Sequence, residues 1–225
     1  MRIGLLGGTF NPIHVGHLKI ARMVRYRLKL DAVWFIPTGK SPHKSEEMQP
    51  SRADRLEMVR LAIQDAPYFK PCDMEIKRRG ISYTIDTLTL LKQHHPEESF
   101  FFIIGTDAFS HLHQWKAPER LLETVAFVIV PRVGHPFSHL PNLAICNRIN
   151  MISLKELDGN HRKRYTFSTT NGGRLYFVQT ALHPISACEI RNKIRSEKTV
   201  KTLLPQRVLS YIIKKGLYKK RIGNS

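Results

Sequence analysis

In the stretch GGTFNPIHVGHL, residues 7 to 18, two histidines stand three residues apart just after a pair of glycines and a proline. If a helix begins there, His14 and His17 share its first turn. Their imidazoles then point the same way, toward the end where backbone N–H groups are unpaired and the helix dipole is positive. Gly7 and Gly8 leave the approach to the backbone open. Two imidazoles, bare backbone and a helix terminus make a place for an anion of phosphate size. The spacing is neither a GxxxxGKS/T phosphate loop nor a GxGxxG fingerprint. Two other uses of the same residues stay open. Asn11 can cap a helix with Pro12 in its first turn, leaving the histidines on the surface. A metal site is the other, which two histidines without a third ligand nearby argue against.

Other chemistry-bearing residues sit at comparable places. Gly105, Thr106 and Asp107 directly follow an apolar run; Asp107 can accept hydrogen bonds from a ribose hydroxyl or cap a helix. In SYTIDTL, residues 82 to 88, Thr84 is either a plain N-cap or part of a helix start whose open N–H groups near Tyr83 and Thr84 receive a carboxylate. Lys44, with His43 beside it, belongs to a loop from which it can reach a phosphate, although an exposed lysine in a Pro-bounded loop is ordinary. Ser186 can cap a helix carrying Arg191, a second N-terminus for an anion. Cys188 has no identifiable partner base.

These residues need elements to hold them. Ile3–Leu6, Val33–Ile36, Phe100–Ile104 and Phe127–Val130 are short, unbroken apolar runs, as strands buried on both faces of a parallel sheet are. Helical patterns lie between them. Ile20, Ala21, Val24 and Leu28 share one face; Ser51 and Asp54 open a second helix that groups Leu56, Val59 and Ile63; Ile85, Leu88 and Leu91 mark a third from about Thr84 to His94. Alternation of strand and helix predicts an α/β, doubly wound, Rossmann-like parallel sheet. Residues 131–173 collect Pro, Gly, Asn, His and Arg without a sustained period, and read as an irregular insertion before a last strand at Leu175–Val178. The domain is thus expected over 1–184, with residues 185–225 as a C-terminal helical segment packed on it. If the strands ending at Gly8 and Gly105 are neighbours where the strand order reverses, their loops border one ligand crevice.

The 225 residues suffice for one compact domain with extensions. No apolar run reaches membrane-spanning length, and Met1–Leu6 is too short for a signal-peptide core. Cys72, Cys146 and Cys188 are widely spaced and suit free thiols in a cytoplasmic protein. A net charge of +18 attracts anions in general, nucleic acid, anionic lipid and phosphorylated metabolites alike, or is simply a solvated basic surface.

The string GGTFNPIHVGHL resembles the signature of the HxGH nucleotidyltransferase superfamily. With IPTGKSPHK, SYTIDTL, FFIIGTDAFSHLHQW, ISACEIRNKI and LLPQRVLSYIIKKGLY, in that order, the chain resembles the bacterial nicotinate-nucleotide adenylyltransferase family over nearly its whole length. The resemblance implies adenylyl transfer from ATP to nicotinate mononucleotide, giving nicotinate adenine dinucleotide and pyrophosphate. It implies that His14 and His17, with Arg191, stabilise the transition state. It further implies that Gly7, Gly8, Thr9, Phe10, Gly16, Gly105, Asp107, Ser186 and Ile190 help bind ATP, and that Lys44, Tyr83, Thr84 and Trp115 bind the mononucleotide, Trp115 against the pyridine ring. Ala187 and Cys188 stand where the family usually has small hydroxyl residues, and Asn11 where many members have Asp, which puts ATP affinity rather than activity in doubt.

The residue inventory suits that reaction. The attacking phosphate monoester, with a second pKa of about 6, is already mostly dianionic at neutral pH, so no general base is needed. What the protein must supply is alignment and positive charge. Mg²⁺ is expected to arrive with ATP, held by phosphate and water and by no dedicated protein ligand. Partners are then small molecules, with no nucleic acid and no membrane, and a homo-oligomer is permitted. Three rivals remain: preference for nicotinamide mononucleotide, phosphopantetheine adenylyl transfer, and a non-catalytic basic module that binds nucleic acid. SYTIDTL and HQW oppose the first two; His14, His17 and Arg191 oppose the third.

Overall fold

The computed structural model describes residues 1–41, 50–140, 148–170 and 172–219. The apolar runs form strands: β1 (Arg2–Gly8), β2 (Ala32–Pro37), β3 (Phe69–Pro71), β4 (Ser99–Gly105), β5 (Ala126–Val130), β6 (Arg164–Ser168) and β7 (Arg174–Val178). They make one sheet of order β3-β2-β1-β4-β5-β7-β6, parallel except for the β6–β7 pair. The helices are α1 (Val15–Leu28), α2 (Arg52–Ile63), α3 (Met74–Lys77), α4 (Thr84–His94), α5 (Thr106–Phe109), α6 (Pro118–Thr124), α7 (Met151–Asp158), α8 (Ala187–Arg195) and α9 (Gln206–Lys214). The expected doubly wound α/β architecture is the one observed.

Alternate residues of each strand bury on opposite faces. Phe101, Ile103, Val128 and Val130 join α1, α2, α8 and α9 in one core. Phe100, Phe102, Ile104, Phe127 and Ile129 join α4, α6 and α7 in the other. Each such side chain contributes on the order of 2 kcal/mol by leaving water. Both faces being covered is why these strands read as continuous apolar runs. The C-terminal helices are part of the first core through Ile190, Val208 and Ile212.

Residues 131–173 correct the reading of an irregular insertion. They contain α7 and the edge strand β6. Asn150 caps α7, its side-chain oxygen accepting from the N–H groups of Ile152 and Ser153, and Leu154 and Leu157 are buried beneath it. On β6 only Tyr165 and Phe167 turn toward the protein, while Arg164, Thr166 and Ser168 are exposed. An edge strand with two inward residues leaves no apolar run, and its polar outer face, Arg164 included, suits an exposed edge.

The start of α1 also differs from the capped-helix alternative. Its N-cap is His14, not Asn11, and the Asn11–Pro12 peptide bond is cis.

Candidate active site

The strand order reverses between β1 and β4, which pair with each other, while β2 lies on the outer side of β1 and β5 on that of β4. The two carboxyl ends, Gly7–Gly8 and Gly105, therefore open on one crevice, the condition set for it being met. A cavity of 1230 Å³ occupies it.

Its floor is the turn from β1 into α1. Phe10 has a left-handed backbone (φ 48°) and a buried ring. A Cβ on Gly8 would lie 3.3 Å from that ring, so the glycine makes room for it. The edge-to-face contact of Phe10 with His17, centroids 5.1 Å apart, fixes one side of the imidazole. His14 stacks on the same His17 imidazole, centroids 3.7 Å apart. The His14 backbone N–H donates to Nδ1 of His17 at 3.2 Å. With Nδ1 accepting, the neutral ring carries its proton on Nε2, a ready hydrogen-bond donor. Burial first, then Arg132, pushes His14 down to about 4. Burial, His14 and Arg132 push His17 well below the usual imidazole range. Both rings are thus neutral at pH 7.

Gly7, Gly8, Thr9, Phe10, His14 and His17 all line the cavity. Gly16 does not: it backs the site, its missing Cβ leaving space that would otherwise end 3.0 Å from Nδ1 of His14. Ile190, on α8, is likewise absent from the cavity lining and fully buried in the core.

On the opposite wall, Gly105 is the N-cap of α5, and a Cβ there would lie 2.8 Å from Cγ of Arg132 and closer still to the Asp107 carboxylate. Asp107 does not cap the helix. It is the second helical residue, accepts from the Ala108 N–H at 2.9 Å, and lies 3.5 Å from Nε of Arg132. Arg132, two residues past β5, is a site residue that sequence reasoning missed, as are Lys116 and His135 on the same cavity. The signal for Arg132 was a cation just beyond an apolar run, at the carboxyl end of the strand.

A third wall is α8. Ser186 caps it, accepting from the Glu189 N–H at 3.0 Å. Arg191 donates to the Asn11 carbonyl at 2.9 Å, so its guanidinium is held against the turn that carries the histidines. Exposed Cys188 lies in the first turn of α8.

The fourth wall is the start of α4. Tyr83 is its N-cap and no side chain caps it, so Thr84 is the first helical residue and not a cap. Lys116 lies 4.7 Å from the Tyr83 ring centroid and 3.1 Å from the Asp86 carboxylate. Trp115, half-buried, meets Phe102 edge-on and borders the same cavity with Tyr83 and Thr84. Lys44 and His43 lie outside the described residues. Among the described residues no three His, Cys, Asp or Glu side chains gather as a metal site, and no helix is long and apolar enough to cross a membrane.

The comparisons agree with this geometry. The cytidylyltransferase-like family matches residues 5–193. A probable nicotinate-nucleotide adenylyltransferase of Geotalea daltonii is 41% identical, covering 97% of this chain and 98% of that protein. One from Bacillus pumilus is 37% identical over 96% of this chain and 98% of its own. Among solved structures, the Plasmodium falciparum nicotinic acid mononucleotide adenylyltransferase complexed with NaAD shares the fold at a TM-score of 0.72, with 20% identity and coverage of 96% and 97% of the two chains. The cytidylyltransferase-like match over most of the chain and these near-full-length relatives place the protein in one family: it belongs to the nicotinate-nucleotide adenylyltransferases.

Proposed function

We propose that this protein transfers the adenylyl group of ATP to nicotinate mononucleotide, giving nicotinate adenine dinucleotide and pyrophosphate in NAD biosynthesis. The observation that carries the reading is that the stacked His14–His17 pair and the uncapped start of α4 face one cavity. A phosphate-binding end and a carboxylate-binding end are thereby joined.

In this reading a phosphate oxygen of the mononucleotide attacks the α-phosphorus of ATP, a new P–O bond forms, and the bond to the pyrophosphate oxygen breaks. No proton has to be removed from a dianionic phosphate. The chain's task is alignment and charge compensation. Nε2–H of His17, with His14 stacked on it, faces the oxygens of the reacting phosphate, and Arg191 and the start of α8 receive the leaving pyrophosphate. Gly7–Phe10 and Gly105 border the nucleotide, and the Asp107 carboxylate accepts from a ribose hydroxyl. Mg²⁺ arriving with ATP would supply further charge compensation, held by phosphate oxygens and water.

At the other end, backbone N–H groups at Tyr83–Thr84 are pure donors. They favour the carboxylate of nicotinate over the neutral amide of nicotinamide, and Trp115 offers its ring to the pyridine. Lys44 is proposed for the mononucleotide phosphate. Free Cys72 and Cys188 support a reducing, cytoplasmic setting. Pyrophosphate release measured with ATP, Mg²⁺ and either mononucleotide tests the reading: release with the nicotinate form alone is expected, and equal rates with the nicotinamide form would overturn the acid preference.

A further inference from the structure

Two buried ionisable side chains have no role assigned in that chemistry, although Glu75, like Thr87, borders the cavity. Arg55 on α2 is 3% exposed and Glu75 on α3 is 8% exposed. A buried ionic side chain is costly unless its hydrogen bonds are met, so what meets them shows what the charge holds in place. Both converge on one residue, Gly39, just past the end of β2, one on its carbonyl and the other on its N–H. Arg55 Nη2 donates to the Gly39 carbonyl at 3.2 Å, and the Gly39 N–H donates to Oε2 of Glu75 at 3.3 Å.

The chain of contacts continues in both directions. Arg55 Nη1 donates to the Thr9 carbonyl at 2.8 Å, within the turn that carries the histidines. Oε1 of Glu75 accepts from the Thr87 hydroxyl at 2.9 Å, in the first turn of α4. The Ser82 N–H donates to the Lys40 carbonyl at 2.8 Å, fastening the same loop just ahead of the α4 N-cap. Gly39 is required at the junction, because a Cβ there would run into the Glu75 carbonyl oxygen and lie 2.6 Å from the Ser82 hydroxyl.

We infer that Arg55, Gly39, Glu75 and Thr87 form a strut that sets the spacing between the phosphate-binding turn and the start of α4, and that Glu75 and Thr87 are positioning residues for the mononucleotide. The inference deepens the adenylyl-transfer reading and its consequence for kinetics rests on it. In-line attack requires the two substrates at a fixed separation, and a small displacement of one wall is felt as a large loss of alignment. Glu75 and Thr87 reach only the mononucleotide side of the strut, whereas Arg55 touches both sides.

The test uses the full chain with Thr87→Val, which keeps the shape but removes the hydroxyl, Glu75→Gln, and Leu154→Ala in the distant core of α7 as a stability control. The first readout is amide exchange in the substrate-free protein. Thr87→Val is expected to speed exchange at Gly39 and Ser82 and leave the His17 amide unchanged; unchanged exchange at both overturns the strut whether or not the substrate assignment holds. The second readout is steady-state kinetics. Thr87→Val and Glu75→Gln are expected to raise the KM for nicotinate mononucleotide roughly tenfold with the KM for ATP within about twofold, while Leu154→Ala lowers Tm and moves neither. Equal rises in both KM values, or no rise in the mononucleotide KM in either variant, overturn the positioning role. Wild-type pyrophosphate release is scored separately, so failure of the substrate assignment is distinguishable from failure of the strut.

Discussion

The His17 ring is constrained on three sides: by the stacked His14, by the Phe10 edge and by a backbone N–H on Nδ1. What remains is one N–H held toward the cavity, and its worth lies in being placed before the reaction begins. His17→Ala is therefore expected to lower kcat by about 10²- to 10³-fold, the usual loss of a preorganised donor to transition-state charge, with substrate KM values little changed. Stopped turnover assays on folded protein check this, and near-normal kcat would remove His17 from the chemistry. The two histidines were legible in the sequence through the whole string GGTFNPIHVGHL and its resemblance to the HxGH signature, since their type and spacing alone also suit a capped helix with surface histidines. Their relation was not: His14 lies outside the helix as its N-cap, and the left-handed Phe10 that wedges the turn has no sequence period. Arg55 and Glu75 were illegible for a simpler reason, and Arg132 offered only its place after an apolar run. A single charged residue in a sequence rich in them carries no pattern, and only burial or position singles it out.

Among the elements, the glycine ending β4 does for its wall what Gly8 does for the turn below. Gly105→Ala would press a methyl on the Arg132 stem and the Asp107 carboxylate, separating an ion pair that spans the ends of β4 and β5. The pair itself is half exposed and worth little to stability. The expected outcome is consequently a raised KM for ATP, by about tenfold, with Tm shifted by no more than a few degrees; calorimetry alongside kinetics distinguishes this from general destabilisation. Strands buried on both faces announced themselves as apolar runs, and so the central sheet was readable. The edge strand β6 was not, since it buries only Tyr165 and Phe167, and short α3 and α6 are held by what surrounds them rather than by periodicity.

For the whole molecule, the buried histidines tie the site to the pH dependence of folding. The unfolded chain protonates His14 near 6.5, but the folded protein does not until about 4. Stability is thus full above about pH 6.5 and declines as pH falls toward 4, with the His14 part on the order of 3 kcal/mol. His14→Gln should flatten that decline, seen as a shallower fall of denaturation midpoint between pH 7 and pH 4.5 than in the wild type; identical slopes would show that His14 does not titrate as described. Reversal of strand order between β1 and β4 was only a condition at the level of the sequence, because local patterns mark strands and leave open which of them are neighbours.

The chain has two tryptophans, and the fold gives them different surroundings. Trp115 borders the substrate cavity, whereas Trp34 lies on β2 against His95 and Phe100. Pyridine stacking on Trp115 would drain its excited state while Trp34 glows on as a constant background. A Trp34→Phe protein would then be an optical sensor with a single emitter, its quenching on titration with nicotinate mononucleotide reporting occupancy of one half of the site before any ATP is added.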